Sequence, residues 1–257
     1  MNDMEKDLQL ASSGNEEELR YLVYHSSLKV ISRILLNKNL TEDLVLIIAN
    51  RRNTDAEIIE SLYINKRWRE SYRIMLALCK NPKTPQNISL ALLKSLRVFD
   101  LADLTRNQQI PVNVRMKAEA HINEKVLAMP LGIKKALAKR ASGNVLMRLI
   151  EDGMKDVVSS CLNSPYMTEA IICKVLNMKR IASQVVRLIS EHPKWTLRYD
   201  VKWSLIRNSH APLSRVVHFL KNMKTTDLKD LYAAPEVPKS TKPFIYRELS
   251  DREEAKS

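Results

Sequence analysis

Two stretches of the chain share one skeleton. Trp68–Pro85 reads WRESYRIMLALCKNPKTP and Trp195–Pro212 reads WTLRYDVKWSLIRNSHAP, so W-x3-Y-x5-L-x2-N-x3-P occurs twice with a 127-residue offset. At that offset residues 19–111 align with 146–238 without an insertion, and 20 of the 93 positions are identical. That is about three times the chance level for this composition. Many other pairs stay apolar, such as Ile48 with Val175 and Ile59 with Val186. Whatever one half folds into, the other is expected to fold into as well. The predicted layout is an acidic, flexible N-terminus (1–18), a first half (19–111), a basic helical connector (112–145), a second half (146–238) and a partly extended tail (239–257).

Inside each half there is a finer rhythm. Asn-x-x-x-Pro occurs at Asn81/Pro85, Asn107/Pro111 and Asn208/Pro212, with a looser Asn37/Thr41. Each time an apolar stretch stops at Asn, and apolar spacing resumes shortly after the Pro or Thr. Asn tolerates the left-handed backbone that ends a helix, and Pro suits the start of the next. Thr84, Thr41, Asp100 and Asp227 are predicted N-caps. The helices are short and amphipathic; residues 85–97 place Ile88, Ala91, Leu92 and Leu96 on one face. Only four glycines occur in 257 residues. So few positive-φ positions argue against hairpin-rich sheets and glycine-rich phosphate loops. The predicted fold is all-α: an α-solenoid of short antiparallel helix pairs, built by tandem duplication, in which each pair buries its face on its neighbours.

CKNPKTPQNISLALLKSL (79–96) and IRNSHAPLSRVVHFL (206–220) resemble HEAT-like α-helical repeats, particularly the bacterial leucine-rich repeat variant type, in which N-P-x-T-P opens a helix. The resemblance covers most of 19–238. It implies a curved binding scaffold and brings no catalytic residues with it. Some HEAT-like solenoids of similar size and charge are alkylpurine DNA glycosylases, which would need an Asp and aromatic rings on the concave, solvent-facing side.

The net charge is +13. Residues 1–18 are acidic, with Asp3, Glu5, Asp7, Glu16, Glu17 and Glu18 against Lys6, so the remaining chain is more basic than the total implies. A body of that charge attracts an acidic protein, a nucleic acid or an anionic surface. The candidate contact residues are Lys134, Lys135, Lys139 and Arg140, the densest basic cluster, and the bases set among aromatics. The latter are Arg67, Arg69 and Arg73 around Trp68 and Tyr72, and Lys194, Arg198 and Lys202 around Trp195, Tyr199 and Trp203. Bases interleaved with aromatics suit phosphates and stacked nucleobases. A helical wheel favours the plainer reading for the rings, with Trp195, Tyr199, Trp203 and Ile206 on one apolar face and Leu197, Val201 and Leu205 on the other. Lys80, Lys94, Arg207 and Lys221 near helix C-termini are read as complements to the helix dipole.

No His or Cys spacing suits a metal, and no nucleophile–base motif is present, so no metal, cofactor, catalytic residue or small-molecule substrate is expected. Cys79, Cys161 and Cys173 lie in apolar patterns and read as buried free thiols of a cytoplasmic protein. The longest apolar run, Leu44–Ala49, is too short to span a bilayer. The functional expectation is a non-enzymatic solenoid presenting a basic surface to an acidic protein partner. The alternative is a nucleic-acid-binding solenoid, with a DNA glycosylase of HEAT-like fold as its enzymatic form.

Overall fold

The computed structural model describes residues 3–254, and all of its regular secondary structure is helical. The chain divides between Ile122 and Asn123 into two compact units. The first contains α1 (Asp3–Ser13), α2 (Glu16–Leu22), α3 (Leu28–Ile34), α4 (Glu42–Asn50), α5 (Ala56–Ile64), α6 (Tyr72–Lys80), α7 (Gln86–Leu92) and α8 (Val98–Arg106). Helix α9 (Val112–Lys125) crosses the division. The second contains α10 (Leu131–Ala138), α11 (Gly143–Glu151), α12 (Lys155–Leu162), α13 (Glu169–Leu176), α14 (Ser183–Glu191), α15 (Tyr199–Ile206), α16 (Leu213–Leu220), α17 (Thr225–Ala233) and α18 (Lys242–Glu254). Helices α5 and α14 start and end 127 residues apart, as do α8 and α17.

Most of these helices have only seven to nine residues, too few to persist alone in water. Packing holds them. In the first unit α1 packs on α3, α3 on α5, α4 on α6 and α6 on α8. In the second α10 packs on α12, α12 on α14, α11 on α13 and α13 on α15. Many of the helices thus bury their apolar stripes against their next-but-one neighbours, while α1 and α2, α6 and α7, α11 and α12, and α17 and α18 pack as adjacent pairs. Val30, Ile34, Ile48, Ile59 and Ile74 fill the first core, and Val157, Ile172, Val186, Ile189 and Leu205 the second.

The helix punctuation works differently from the sequence expectation. Among the described residues no non-glycine has positive φ, and Asn81 sits at φ −78°, ψ 124°. Its side chain does the terminating instead. Asn81 Nδ2 donates to the carbonyls of Ala49 (2.7 Å) and Arg51 (2.9 Å) at the end of α4, and Oδ1 accepts from Lys83 N (2.9 Å). Asn208 repeats this with Leu176 O (2.7 Å) and His210 N (2.9 Å), and Asn37 with Ala11 O, Gly14 O and Asn39 N. Each Asn therefore satisfies orphan carbonyls at the end of the neighbouring helix, so it is a clamp between helices rather than a left-handed stop.

The expected N-caps differ too. Thr84 Oγ1 donates backwards to Leu78 O (2.6 Å), leaving Pro85 at the cap position, and Thr41 caps α4 without a side-chain bond. Asp100 and Asp227 lie inside the first turns of α8 and α17, after the cap residues Arg97 and Lys224. The acidic segment expected to be flexible is helical: α1 packs on α3, and Asn15 and Glu18 close a reciprocal capping box at α2. Of the tail expected to be partly extended, residues 242–254 form α18, where Arg252 binds the carbonyls of Leu220, Lys221 and Met223, and 255–257 lie outside the described residues.

Candidate binding edges

In the first unit, the turns joining α1 to α2, α3 to α4, α5 to α6 and α7 to α8 are tied into one edge. Asn37 and Asn39 both donate to Gly14 O. Arg67 reaches from the α5–α6 turn to Leu40 O (2.6 Å) and Lys38 O (3.4 Å). Arg97 lies 4.6 Å from the Tyr72 ring centroid, and its backbone N–H donates to the Tyr72 hydroxyl at 3.0 Å. These turns carry Lys38, Lys66, Arg67, Arg69, Lys94 and Arg97, with Glu70 as their own carboxylate and with Glu16 and Glu42, from the helices that follow, accepting from Thr41 and Ser71 of the same turns. All six bases are exposed.

The second unit builds a similar edge from its own turns. His192 Nε2 stands 3.3 Å from Asn163 Oδ1, and Trp195 Nε1 donates to Leu162 O at 2.9 Å. Lys224 lies 5.9 Å from the Tyr199 ring centroid and its N–H donates to the Tyr199 hydroxyl at 3.2 Å. A shallow groove of about 340 Å³, lined by Lys135, Lys139, Asp156, Ser159, Ser160 and Asn163, joins the α10–α11 turn to the α12–α13 turn. The turns after α10, α14 and α16 carry Lys139, Arg140, Lys194, Arg198, Lys221 and Lys224, and no carboxylate.

The two turn tryptophans each lie beneath a base. Arg67 covers Trp68 at 4.3 Å and Lys194 covers Trp195 at 4.2 Å. Both indoles are buried, at 5% and 2% exposure. They lie in the turns ahead of α6 and α15, so Trp195 stands outside the helix on which the wheel puts it, and Leu197 is 78% exposed instead of buried. Trp203 is half-buried. Tyr72 and Tyr199 donate short hydrogen bonds to Asp100 and Asp227. Burial first, then the carboxylate partner, holds both phenols above their usual pKa and so protonated as donors.

Of the sequence-predicted contact residues, the structure brings Arg67 and Arg69 to the first edge, and Lys139, Arg140, Lys194 and Arg198 to the second. The others stand elsewhere. Lys134 points inward, only 4% exposed, bonded to Asp152 Oδ2 at 2.8 Å and to Leu127 O at 2.7 Å. It belongs to the core, so the densest basic cluster is split. Arg73 pairs with Asp43 at 2.9 Å, Lys135 faces Asp156 at 3.8 Å, and Lys202 is a half-buried residue of α15. Sequence reasoning missed Lys38 and Lys66 and read Lys94 and Lys221 as dipole complements. The available signal was that bases recur in the short breaks between apolar runs.

Burial pushes the Cys79 and Cys161 thiols up to about 12, leaving them protonated and inert near neutral pH. Among the described residues no helix is long and apolar enough to cross a membrane. Comparison with protein families, with curated proteins and with solved structures finds no match for the chain.

Proposed function

We propose that the chain is a non-enzymatic binding scaffold, each unit presenting its basic turn edge to an acidic protein partner. The observation that carries this reading is the gathering of a surplus of exposed cations from separate turns onto one edge of each unit. Trp and Tyr rings hold four of these cations, Arg67, Arg97, Lys194 and Lys224, in place while leaving them in water. The accompanying fold reading is a HEAT-like α-solenoid made by tandem duplication at a 127-residue offset, in a cytoplasmic protein. Next-but-one helix packing and the evenly offset helices support it.

A nucleic-acid partner is the second reading. What favours it is that each unit's turns carry a one-signed set of bases, Arg67, Lys94 and Arg97 in the first and Lys194, Lys221 and Lys224 in the second, and a row of cations suits a phosphate backbone. A glycosylase stands behind both, because Asp100 and Asp227 are engaged by tyrosine hydroxyls and the tryptophans are covered.

The test is binding of the full-length chain to a labelled poly-glutamate peptide and to poly-dT across a salt series. A Lys38→Ala/Lys66→Ala/Lys94→Ala/Lys139→Ala/Lys194→Ala/Lys221→Ala variant, altered on both edges, is compared with an Arg73→Ala/Lys174→Ala control. The edge variant is expected to lose about tenfold in poly-glutamate affinity, for roughly 1.4 kcal/mol of lost attraction, and the control little. No binding at low salt, or equal loss in the control, overturns the reading.

A further inference from the structure

The most exposed aliphatic side chains near the first edge are Leu36 (74%) and Ile64 (70%). Leu36 lies just past the end of α3, and Ile64 is the last residue of α5. Helices α3 and α5 pack together, and Arg67 draws the turns that follow them into contact. The two side chains therefore sit at the same end of neighbouring helices, with Lys38 two residues beyond one and Lys66 two residues beyond the other. Single exposed apolar residues are ordinary. Two such residues on adjacent helix ends, bordered by Lys38, Lys66, Arg67 and Arg69, are a different matter, since they make an apolar step inside a basic rim.

The second unit lacks that pair, although Leu197 in its α14–α15 turn is a single exposed aliphatic (78%). At the corresponding offset it has Asn163 and Glu191, whose side chains meet His192 and Arg187. Polar groups there satisfy one another, whereas Leu36 and Ile64 remain in water.

We propose that the first unit's edge docks an acidic partner segment bearing two apolar side chains, which cover Leu36 and Ile64 while its carboxylates meet Lys38, Lys66 and Arg69. This rests on the acidic-partner reading above and narrows it. A rim of cations around an apolar centre is the complement of a carboxylate-flanked apolar segment. A phosphate backbone has no use for the aliphatic step, so the pair favours a protein over a nucleic acid. Helix interaxial distances of about 8–10 Å put the two anchors within reach of one short extended or helical segment.

The experiment uses the full-length chain and three labelled probes: a peptide alternating Glu-Glu-Leu, a poly-glutamate peptide of equal length, and poly-dT. The Leu-containing peptide is expected to bind about tenfold tighter than poly-glutamate. In a Leu36→Ser/Ile64→Ser variant that advantage falls to about onefold, while poly-glutamate affinity is unchanged; these exposed sites leave the fold intact, checked by circular dichroism. Equal affinity of the wild type for both peptides overturns this inference but spares the acidic-partner reading. Binding of neither peptide overturns both, and poly-dT binding more tightly than either peptide assigns the edge to nucleic acid.

Discussion

Trp68 and Trp195 each follow a stacked base and each are buried, yet their indole N–H groups differ. Trp195 Nε1 donates to Leu162 O, while Trp68 Nε1 meets no partner among the described residues. Replacing Trp195 by Phe leaves a buried carbonyl unsatisfied and should cost about 1–3 kcal/mol more than the packing change alone. Trp68→Phe should lose only the packing contribution, and urea denaturation of the two variants checks the difference. Lys134 is a second residue whose role is structural. Removing it strands Asp152 and a backbone carbonyl, so Lys134→Ala should destabilise by about 3 kcal/mol with poly-glutamate affinity unchanged in the folded variant. Equal stability would place the side chain in solvent.

His192 supplies a pH dependence. Burial first, and Lys194 beside it second, lower its pKa below 6.5 in the folded chain. The unfolded chain then binds the proton more readily. Its contribution to stability is fully present above the unfolded pKa of about 6.5 and is lost as the pH falls from there through the lower folded-state pKa. Thermal unfolding at pH 7.5 and 5.5 should show a smaller acid-induced drop in Tm for His192→Gln than for the wild type. An identical drop would assign the pH effect to other groups.

At the scale of the element, the clamping asparagines carry more than the helices they end. Asn81 donates to two carbonyls of the α4 terminus, and Asn208 has one such bond, to Leu176 O. Asn81→Ala should therefore destabilise more than Asn208→Ala, by about 1 kcal/mol, the net worth of one further hydrogen bond. Chemical denaturation of the two variants tests the order, and the reverse order would remove the clamp from the account. These residues also mark how far the sequence could be read. Breaks at Asn81, Asn107 and Asn208 and the all-helical class were legible, because apolar spacing and scarce glycine are local signals. What Asn81 does there was not, since its partners Ala49 and Arg51 lie about thirty residues away in the chain. Trp195 was misplaced on a helix because the four-residue spacing to Tyr199 looks the same in a turn.

At the scale of the whole molecule, the basic edges were half legible. The surplus of cations and its overlap with Trp68 and Trp195 could be seen in the sequence. The division of labour could not, because Lys134 and Lys135 are neighbours in sequence but one faces Asp152 in the core and the other solvent. Gathering Lys38, Lys66 and Lys94 onto one edge takes the packing of separate helix pairs, which no local pattern encodes. The central claim is that these edges, and not the helix faces, meet an anionic partner. The most direct measurement is lysine acetylation footprinting of the full-length chain, with and without saturating poly-glutamate peptide, read by mass spectrometry. The account predicts protection of Lys38, Lys66, Lys94, Lys139 and Lys221, with Lys155 and Lys174 on the helices unchanged. Protection spread evenly over both sets, or concentrated on Lys155 and Lys174, would contradict it.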